Sequence, residues 1–260
     1  MKEHKFKKHL GQNFLKDKNI INKIVDLVPL NEDDLVIEVG AGSGFLTREL
    51  SEKAQVLAYE IDKDLEDELS KTKAKIIIGD FLKRDLTDDI ESFKYKKLYF
   101  VSNLPYYITT AIVQKLINSK LDFSKIVIMI QKEVGERFLA KEKTRKYSSI
   151  TVYLSYFYNL QKEFIVKKES FYPVPKVDSL VVSLNKKEAR KADSEEIFFN
   201  LVRDSFSQKR KTLINNLKTY DTKLIKNYLS EHNLSESIRA EELNLDQFID
   251  LSNLINKHKD

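Results

Sequence analysis

The sequence predicts an α/β protein, with a doubly wound, mainly parallel sheet followed by a small all-helical domain. Between residues 18 and 131, short apolar runs alternate with segments of helical spacing, a pattern typical of βα units. A glycine-rich turn follows the first apolar run, and strand-like runs end near residue 186. A chain of 260 residues is long enough for two domains. We therefore expect one domain over residues 1–185, with a basic tail over 1–18, and a helical domain over 186–260.

The predicted strands are short runs rich in Val and Ile that suit burial on both faces of a sheet. They are residues 35–40, 55–62, 75–80, 97–104 and 125–131. Helical spacing lies between them, at residues 44–53, 63–73 and 109–120. Residues 132–160 are predicted as helix interrupted by the basic stretch 141–146, and residues 163–167 and 177–184 as an antiparallel pair that closes the sheet. Apolar helical stripes follow at residues 197–206, 224–229 and 245–255.

The composition excludes several classes of site. The chain has no cysteine, so it has no disulfide, no thiolate nucleophile and no cysteine-ligated zinc. Its four histidines have no metal-ligand spacing, and we expect no metal; they are His4, His9, His232 and His258. No apolar run approaches the roughly 18 residues of a membrane span, and the N-terminus lacks a signal-peptide pattern. We expect a cytoplasmic monomer without a membrane partner.

The positive charge of the chain is clustered. The net charge is +5, and the clusters are Lys2, Lys5, Lys7, Lys8, Lys16 and Lys18, then Lys141, Lys143, Arg145 and Lys146, then Lys209, Arg210 and Lys211. One such cluster alone is typical of a solvated surface. Three clusters together favour a polyanionic partner.

A glycine-rich turn closes the first predicted strand, in the segment Val-Ile-Glu-Val-Gly-Ala-Gly-Ser-Gly over residues 36–44. Gly40 and Gly42 permit a tight turn and let the backbone approach a nucleotide-like ligand at the carboxyl end of the strand. The spacing differs from the dinucleotide pattern G-x-G-x-x-G, and a merely tight βα turn is the alternative.

Acidic residues end the next two predicted strands. Glu60, within residues 59–62, can accept hydrogen bonds from both ribose hydroxyls. Asp80 can accept from an adenine amino group, and the adjacent Phe81 can cover the ring. A single acidic residue at a strand end usually caps a helix or is solvated. Three successive strand ends with a glycine turn, Glu and Asp are more specific.

The residues Asn103-Leu104-Pro105-Tyr106 follow the fourth predicted strand. An exocyclic adenine amine is a poor nucleophile, because its lone pair is delocalised into the ring. The Asn103 side-chain oxygen and the Leu104 carbonyl can accept the two N6 hydrogens and so localise that lone pair. Pro105 stiffens the turn through its fixed φ, and Tyr106 offers a stacking face for a flipped base. The alternative is an Asn-x-Pro turn with no chemical role.

Four segments together resemble the ribosomal RNA adenine dimethyltransferases, and the resemblance covers nearly the whole chain. They are residues 11–15 (GQNFL), 38–44 (EVGAGSG), 103–106 (NLPY) and 171–179 (FYPVPKVDS). The chain is most similar to the KsgA branch, which dimethylates two adjacent adenines near the 3′ end of 16S rRNA. The features that favour this branch over the macrolide-resistance Erm branch, which modifies 23S rRNA, are Gly11, Leu104 and residues 131–134, 176–179 and 208–212.

The resemblance implies a Rossmann-like class I methyltransferase domain that uses S-adenosylmethionine. The cofactor contacts that it implies, with their neighbours in the motifs, are Asn13, Leu15, Gly40, Gly42, Glu60, Ile61, Asp80, Phe81 and Asn103. It also implies that Phe171 stacks on the target adenine opposite Tyr106. Tyr107 departs from the pattern, because many relatives have Asn there, which bears on the shape of the pocket.

The implied partner is 16S rRNA within the small ribosomal subunit or its precursor, and the implied role is in ribosome biogenesis. The candidate RNA contacts are Lys143, Arg145, Lys209, Arg210 and Lys211. Two alternatives are an Erm-type enzyme and a ribosome-assembly factor that binds RNA without turnover. Intact Gly40, Glu60, Asp80 and Asn103 favour an enzyme, since a pure binder has no physical need for them together.

Overall fold

The computed structural model describes residues 7, 12–188 and 190–258. The chain divides into two compact units. The first contains the described residues up to Gly135 together with Gln161–Lys186, and the second contains Glu136–Leu160 and the described residues from Lys187 onward.

The strands in chain order are β1 (Phe14–Leu15), β2 (Leu35–Val39), β3 (Gln55–Glu60), β4 (Lys75–Ile78), β5 (Leu98–Asn103), β6 (Phe123–Gln131), β7 (Tyr158–Val166), β8 (Phe171–Tyr172) and β9 (Ser179–Lys186). The α-helices are α1 (Lys18–Val25), α2 (Phe45–Ser51), α3 (Glu66–Leu69), α4 (Leu86–Ile90), α5 (Thr109–Asn118), α6 (Lys132–Phe138), α7 (Ser149–Phe157), α8 (Glu195–Ser205), α9 (Leu213–Asn216), α10 (Thr222–Glu231) and α11 (Leu245–Lys257). Short 3₁₀ turns lie at Lys63–Leu65, Phe81–Lys83, Lys168–Ser170 and Ala240–Glu242.

Seven strands form one mixed sheet in the order β4-β3-β2-β5-β6-β9-β7. The ladders from β4 to β6 are parallel, and β9 is antiparallel to β6. Every residue of β2 is buried, as expected for a strand covered on both faces. The predicted α/β fold class and its five parallel strands are confirmed. β1 and β8 form a separate two-stranded ladder.

One predicted helix is much shorter than its apolar pattern suggested. Residues 63–73 form a 3₁₀ turn and the four-residue helix α3 instead of one long helix. The Ser70 and Thr72 hydroxyls donate to the carbonyls of Asp67 and Leu69, at 3.0 and 2.7 Å. Such local side-chain bonds compete with continued helix hydrogen bonding, and they occur where α3 ends.

Residues 136–160 belong to the second unit, although the sequence placed everything up to residue 185 in the first. The reason lies in α7, whose buried Val152 and Tyr156 join the core of the helical unit. The Tyr156 ring stacks on Phe198 of α8, with centroids 4.5 Å apart. The burial of these aromatic rings places α7 in the second unit, although the sequence places it next to the strands of the first.

The helical unit has the three apolar stripes that the spacing predicted. Ile197, Phe198, Leu201 and Val202 are buried on α8. On α10 the buried residues are Ile225, Tyr228 and Leu229, and Leu224 is only half-buried. The predicted stripe of Leu224, Tyr228 and Leu229 is thus buried at its last two positions, and Ile225 takes the buried place expected for Leu224.

Candidate active site

The carboxyl ends of the parallel strands surround a cleft of about 250 Å³. Ligands of open α/β sheets bind at this edge, because parallel strands all end there. The cleft brings together most of the predicted site: Asn13, Leu15, Gly40, Gly42, Glu60, Ile61, Asp80, Phe81, Asn103, Leu104, Pro105 and Tyr106.

The glycine-rich turn after β2 has a backbone that other residues rarely adopt. The φ angles of Gly40 and Gly42 are +78° and +59°. A Cβ on Gly42 would lie 2.8 Å from the Phe14 ring, and one on Gly40 would lie 3.2 Å from Pro105. Both glycines are thus required by conformation and by close packing, and the turn presents bare backbone to the cleft.

Glu60 is held by the backbone around it. Its side chain accepts hydrogen bonds from the Gly42 N–H at 2.8 Å and the Asp62 N–H at 2.9 Å. Burial raises the pKa of Glu60, and these two hydrogen bonds act in the opposite direction. A carboxylate offers about four acceptor positions, so capacity remains for two hydroxyl groups of a ligand. This arrangement fits a ribose.

Asp80 caps a turn and also lines the cleft. Its Oδ1 accepts from the Leu82 N–H at 3.0 Å and so caps the 3₁₀ turn, while the residue also lines the cleft. The Phe81 ring beside it is buried and meets Tyr59 edge-on at 5.0 Å. The cap uses one oxygen, which leaves acceptor capacity for an amino group of a ligand.

The motif after β5 has a defined orientation. The Asn103 Nδ2 donates to the Asn13 carbonyl at 3.3 Å, which leaves Oδ1 as the acceptor end of the amide. The Leu104 N–H donates to the Met129 carbonyl at 3.0 Å. The Tyr106 hydroxyl pairs with Ser179 Oγ at 2.6 Å, and burial raises the pKa of this tyrosine. A rigid turn therefore presents an amide oxygen and an aromatic ring to the cleft.

Phe171 is not brought into the cleft. It pairs with Leu15 in the β1–β8 ladder and is only 3% exposed, packed in the core of the first unit. Its stacking role on the target adenine therefore stays a prediction. Tyr107, by contrast, lines the cleft and is 54% exposed.

The segment before β1 is tied to the end of β3 by Asp62. Gln12 Nε2 donates to Asp62 Oδ2 at 2.6 Å, and the Lys7 ammonium pairs with Asp62 and with Asp64. Burial opposes ionisation of Asp62, but the Lys7 and Gln12 bonds outweigh it and lower the pKa of Asp62. These hydrogen bonds and ion pairs hold residues 12–15 beside the cleft. Lys2, His4, Lys5, Lys8, His9 and Gly11 lie outside the described residues.

Glu38, within the glycine-rich segment, has no role predicted from the sequence. Glu38 is 1% exposed and lines the cleft. Its Oε2 has no hydrogen-bond partner. The signal was present in the sequence, since Glu38 is the one carboxylate within the apolar strand β2.

The candidate RNA contacts lie in the second unit and are all exposed. The Tyr147 ring packs against Phe206, with centroids 6.0 Å apart, so the loop that carries Lys143 and Arg145 meets the end of α8, just before residues 209–211. The two basic clusters thus flank one aromatic contact, since Arg145 is two residues before Tyr147 and Lys209 is three residues after Phe206. We call Lys143, Arg145, Lys209, Arg210 and Lys211 the basic surface.

The described residues contain neither a membrane-spanning helix nor a cluster of metal ligands. No helix within residues 12–188 or 190–258 is long and apolar enough to cross a membrane. Within the same residues, no group of three or more His, Cys, Asp and Glu side chains can hold a metal ion.

The fold and the cleft define a Rossmann-like class I methyltransferase that uses S-adenosylmethionine. Residues 3–257 match the family model described as ribosomal RNA adenine dimethylase. The chain belongs to this family, and it is an S-adenosylmethionine-dependent rRNA adenine dimethyltransferase.

Similar proteins of named function cover nearly the whole chain. The ribosomal RNA small subunit methyltransferase A of Mycoplasma capricolum is 40% identical over 96% of this chain and 98% of its own length. The protein of the same name from Clostridium botulinum (strain ATCC 19397 / Type A) is 41% identical over 97% of this chain and 95% of its own length.

Two crystal structures have the same overall fold. A dimethyladenosine transferase from Plasmodium falciparum matches with a TM-score of 0.77 and 28% identity, over 95% of this chain and 98% of that one. The 23S rRNA methyltransferase ErmE matches with a TM-score of 0.70 and 26% identity, over 94% of this chain and all of that one.

Proposed function

We propose that this protein dimethylates N6 of two adjacent adenines near the 3′ end of 16S rRNA, within the small ribosomal subunit or its precursor. The observation that carries the proposal is about 40% identity over nearly the full length to proteins named for the small subunit. The ErmE likeness is weaker, at 26% identity. The cytoplasmic location and monomeric state predicted from the sequence stay predictions.

The proposed chemistry follows from the motif after β5. The cofactor supplies an electrophilic methyl group on a sulfonium. Asn103 Oδ1 and the Leu104 carbonyl accept the two N6 hydrogens and localise the amine lone pair, while Tyr106 holds the flipped ring by stacking. Ser179 holds the Tyr106 ring in place by its hydrogen bond to the tyrosine hydroxyl. The methylated amine is acidic enough to lose its proton to water, so no strong base is required.

We expect methyl label from S-adenosylmethionine to appear on isolated small subunits and not on large subunits. The assay uses the purified protein with subunits from cells that lack it, followed by mass spectrometry to identify dimethyladenosine. Exclusive labelling of large subunits would move the protein to the Erm type. Binding of small subunits with no labelling would favour a non-catalytic assembly factor.

We expect Glu60→Ala and Asp80→Ala each to weaken S-adenosylmethionine binding by roughly ten- to hundredfold, because each removes a charged hydrogen-bond acceptor. Calorimetric titration of the folded variants measures the effect. Glu68→Ala is the matched control, since Glu68 is an exposed carboxylate paired with Lys71 on a helix surface. Unchanged affinity in both cleft variants would remove the proposed cofactor contacts.

The basic surface is the proposed RNA contact of the helical unit. Its five cations are exposed, and no ion pair found among the described residues involves them. Cations that are not paired with a neighbouring carboxylate are available to bind phosphate groups. Double-stranded RNA is bound largely through shape and backbone charge, which suits such a surface.

A further inference from the structure

Glu38 occupies a defined place among the functional strand ends. The sheet order β4-β3-β2-β5 places Asp80 after β4, Glu60 at the end of β3, Glu38 on β2 and Asn103 at the end of β5. Neighbouring strands are about 4.8 Å apart, so these four side chains follow one another across the edge of the sheet. All four line the same cleft.

This order locates the charged part of the cofactor, given the proposed contacts on which the inference rests. Asp80 takes the adenine and Glu60 the ribose, while the methyl group must reach the amine at Asn103. The end of β2 lies between the ribose and the methyl acceptor. In a cofactor held by these contacts, the sulfonium would lie near the end of β2, which carries Glu38.

Glu38 has no positively charged partner among the described residues that line the cleft. Its Oε2 has no hydrogen-bond donor and its side chain is buried, and an ionised carboxylate in such a place is costly. Burial raises the pKa of Glu38 to about 8 against the opposing effect of the Thr47 hydroxyl, and the charge of nearby Glu60 raises it further. The carboxyl is therefore mostly protonated at pH 7.

The other titratable groups of the cleft do not offset a charge on Glu38. They are Tyr59, Glu60, Asp80, Tyr106 and Tyr107. From α2, the nearest group is the uncharged Thr47 hydroxyl. No lysine, arginine or histidine is found among the described residues that line the cleft. A cation that enters the cleft would be the first positive charge beside Glu38.

We propose that Glu38 is a charge sensor, protonated in the cofactor-free protein and ionised when the sulfonium cofactor binds, so that the cleft distinguishes the cofactor from its product. The O–H bond of the carboxyl breaks, its electron pair stays on Glu38 and the proton passes to solvent. After methyl transfer the sulfur is neutral, and the buried carboxylate again lacks a counter-charge. Glu38 then takes a proton back from solvent, which weakens the hold on S-adenosylhomocysteine relative to S-adenosylmethionine.

The test is calorimetric titration of both ligands at pH 7 in two buffers of different ionisation enthalpy, which reports the protons exchanged on binding. We expect the wild type to release close to one proton more with S-adenosylmethionine than with S-adenosylhomocysteine. The affinity for S-adenosylmethionine should rise roughly tenfold from pH 6 to pH 7, because the ionised fraction of Glu38 rises by that factor below its pKa. The affinity for the product should change little over this interval.

Glu38→Gln is the matched variant, because it keeps the shape and removes the titration. In this variant the additional proton release with S-adenosylmethionine should vanish, and the preference for S-adenosylmethionine over S-adenosylhomocysteine should shrink. Subtracting the proton release of the variant from that of the wild type removes the protons exchanged by the ligand amine. Equal proton release for the two ligands in the wild type overturns the proposal, and that comparison stands even if Glu38→Gln does not fold. Equal proton release would leave the proposed Glu60 and Asp80 contacts with the cofactor standing. Unchanged cofactor binding by Glu60→Ala and Asp80→Ala would instead remove the placement of the sulfonium beside Glu38.

Discussion

Asn103→Ala is expected to lower the rate of methyl transfer by about 10²- to 10³-fold, while the protein stays folded. The Asn103 amide oxygen accepts a hydrogen bond that strengthens as N6 becomes tetrahedral, so it stabilises the transition state more than the bound substrate. Loss of one such preorganised contact commonly has an effect of this size. Single-turnover methylation of small subunits, with the melting temperature of the same preparation, measures both quantities.

The structural alternative is that Asn103 only fastens the turn through its 3.3 Å bond to the Asn13 carbonyl. Asn103→Asp separates the two, because it keeps an acceptor at Oδ1 and loses the donor to Asn13. We expect Asn103→Asp to retain far more activity than Asn103→Ala. A stable Asn103→Ala protein with a near-normal single-turnover rate would contradict the proposed role of Asn103 as the acceptor of an N6 hydrogen.

The sheet and the cofactor cleft were predictable because local patterns determine them. Short buried strands such as Leu35–Val39 are continuous apolar runs, and the rule that parallel strands end at one edge brings Glu60, Asp80 and Asn103 together without knowledge of the packing. The N-terminal attachment was not predictable in the same way. It depends on the hydrogen bond between Gln12 and Asp62, which joins residues fifty positions apart.

Two other features depend on long-range contacts with no local signal. Phe171 and Tyr172 are adjacent aromatics, and only the register of β8 against β1 decides that Phe171 pairs with Leu15 and is buried while Tyr172 is half exposed. The assignment of α7 to the helical unit depends on Tyr156 stacking on Phe198. A helical pattern shows which residues are apolar, but not which partner covers them.

Simultaneous replacement of Lys209, Arg210 and Lys211 with Ala is expected to weaken RNA binding by roughly 10²-fold at about 0.1 M salt. Each phosphate contact contributes about 0.7 to 0.9 to the slope of log K against log salt, so loss of three contacts should reduce that slope by about two to three. S-adenosylmethionine affinity should be unchanged, because the three residues lie in the second unit and the cofactor cleft lies in the first. Filter binding of a small-subunit rRNA fragment over a salt series measures the slope.

A matched triple variant separates specific contact from general charge. Arg190, Arg203 and Lys226 lie in the same unit, but each is paired with a carboxylate, of Asp250, Asp204 and Glu236 respectively. Their replacement with Ala removes the same three charges, yet we expect a much smaller change in slope, since cations already paired with carboxylates release fewer counterions on phosphate binding. Equal slopes for the two triple variants would mean that only the total charge of the unit matters. An unchanged slope in the Lys209, Arg210 and Lys211 variant would identify that turn as a solvated surface and move the RNA contact elsewhere in the chain.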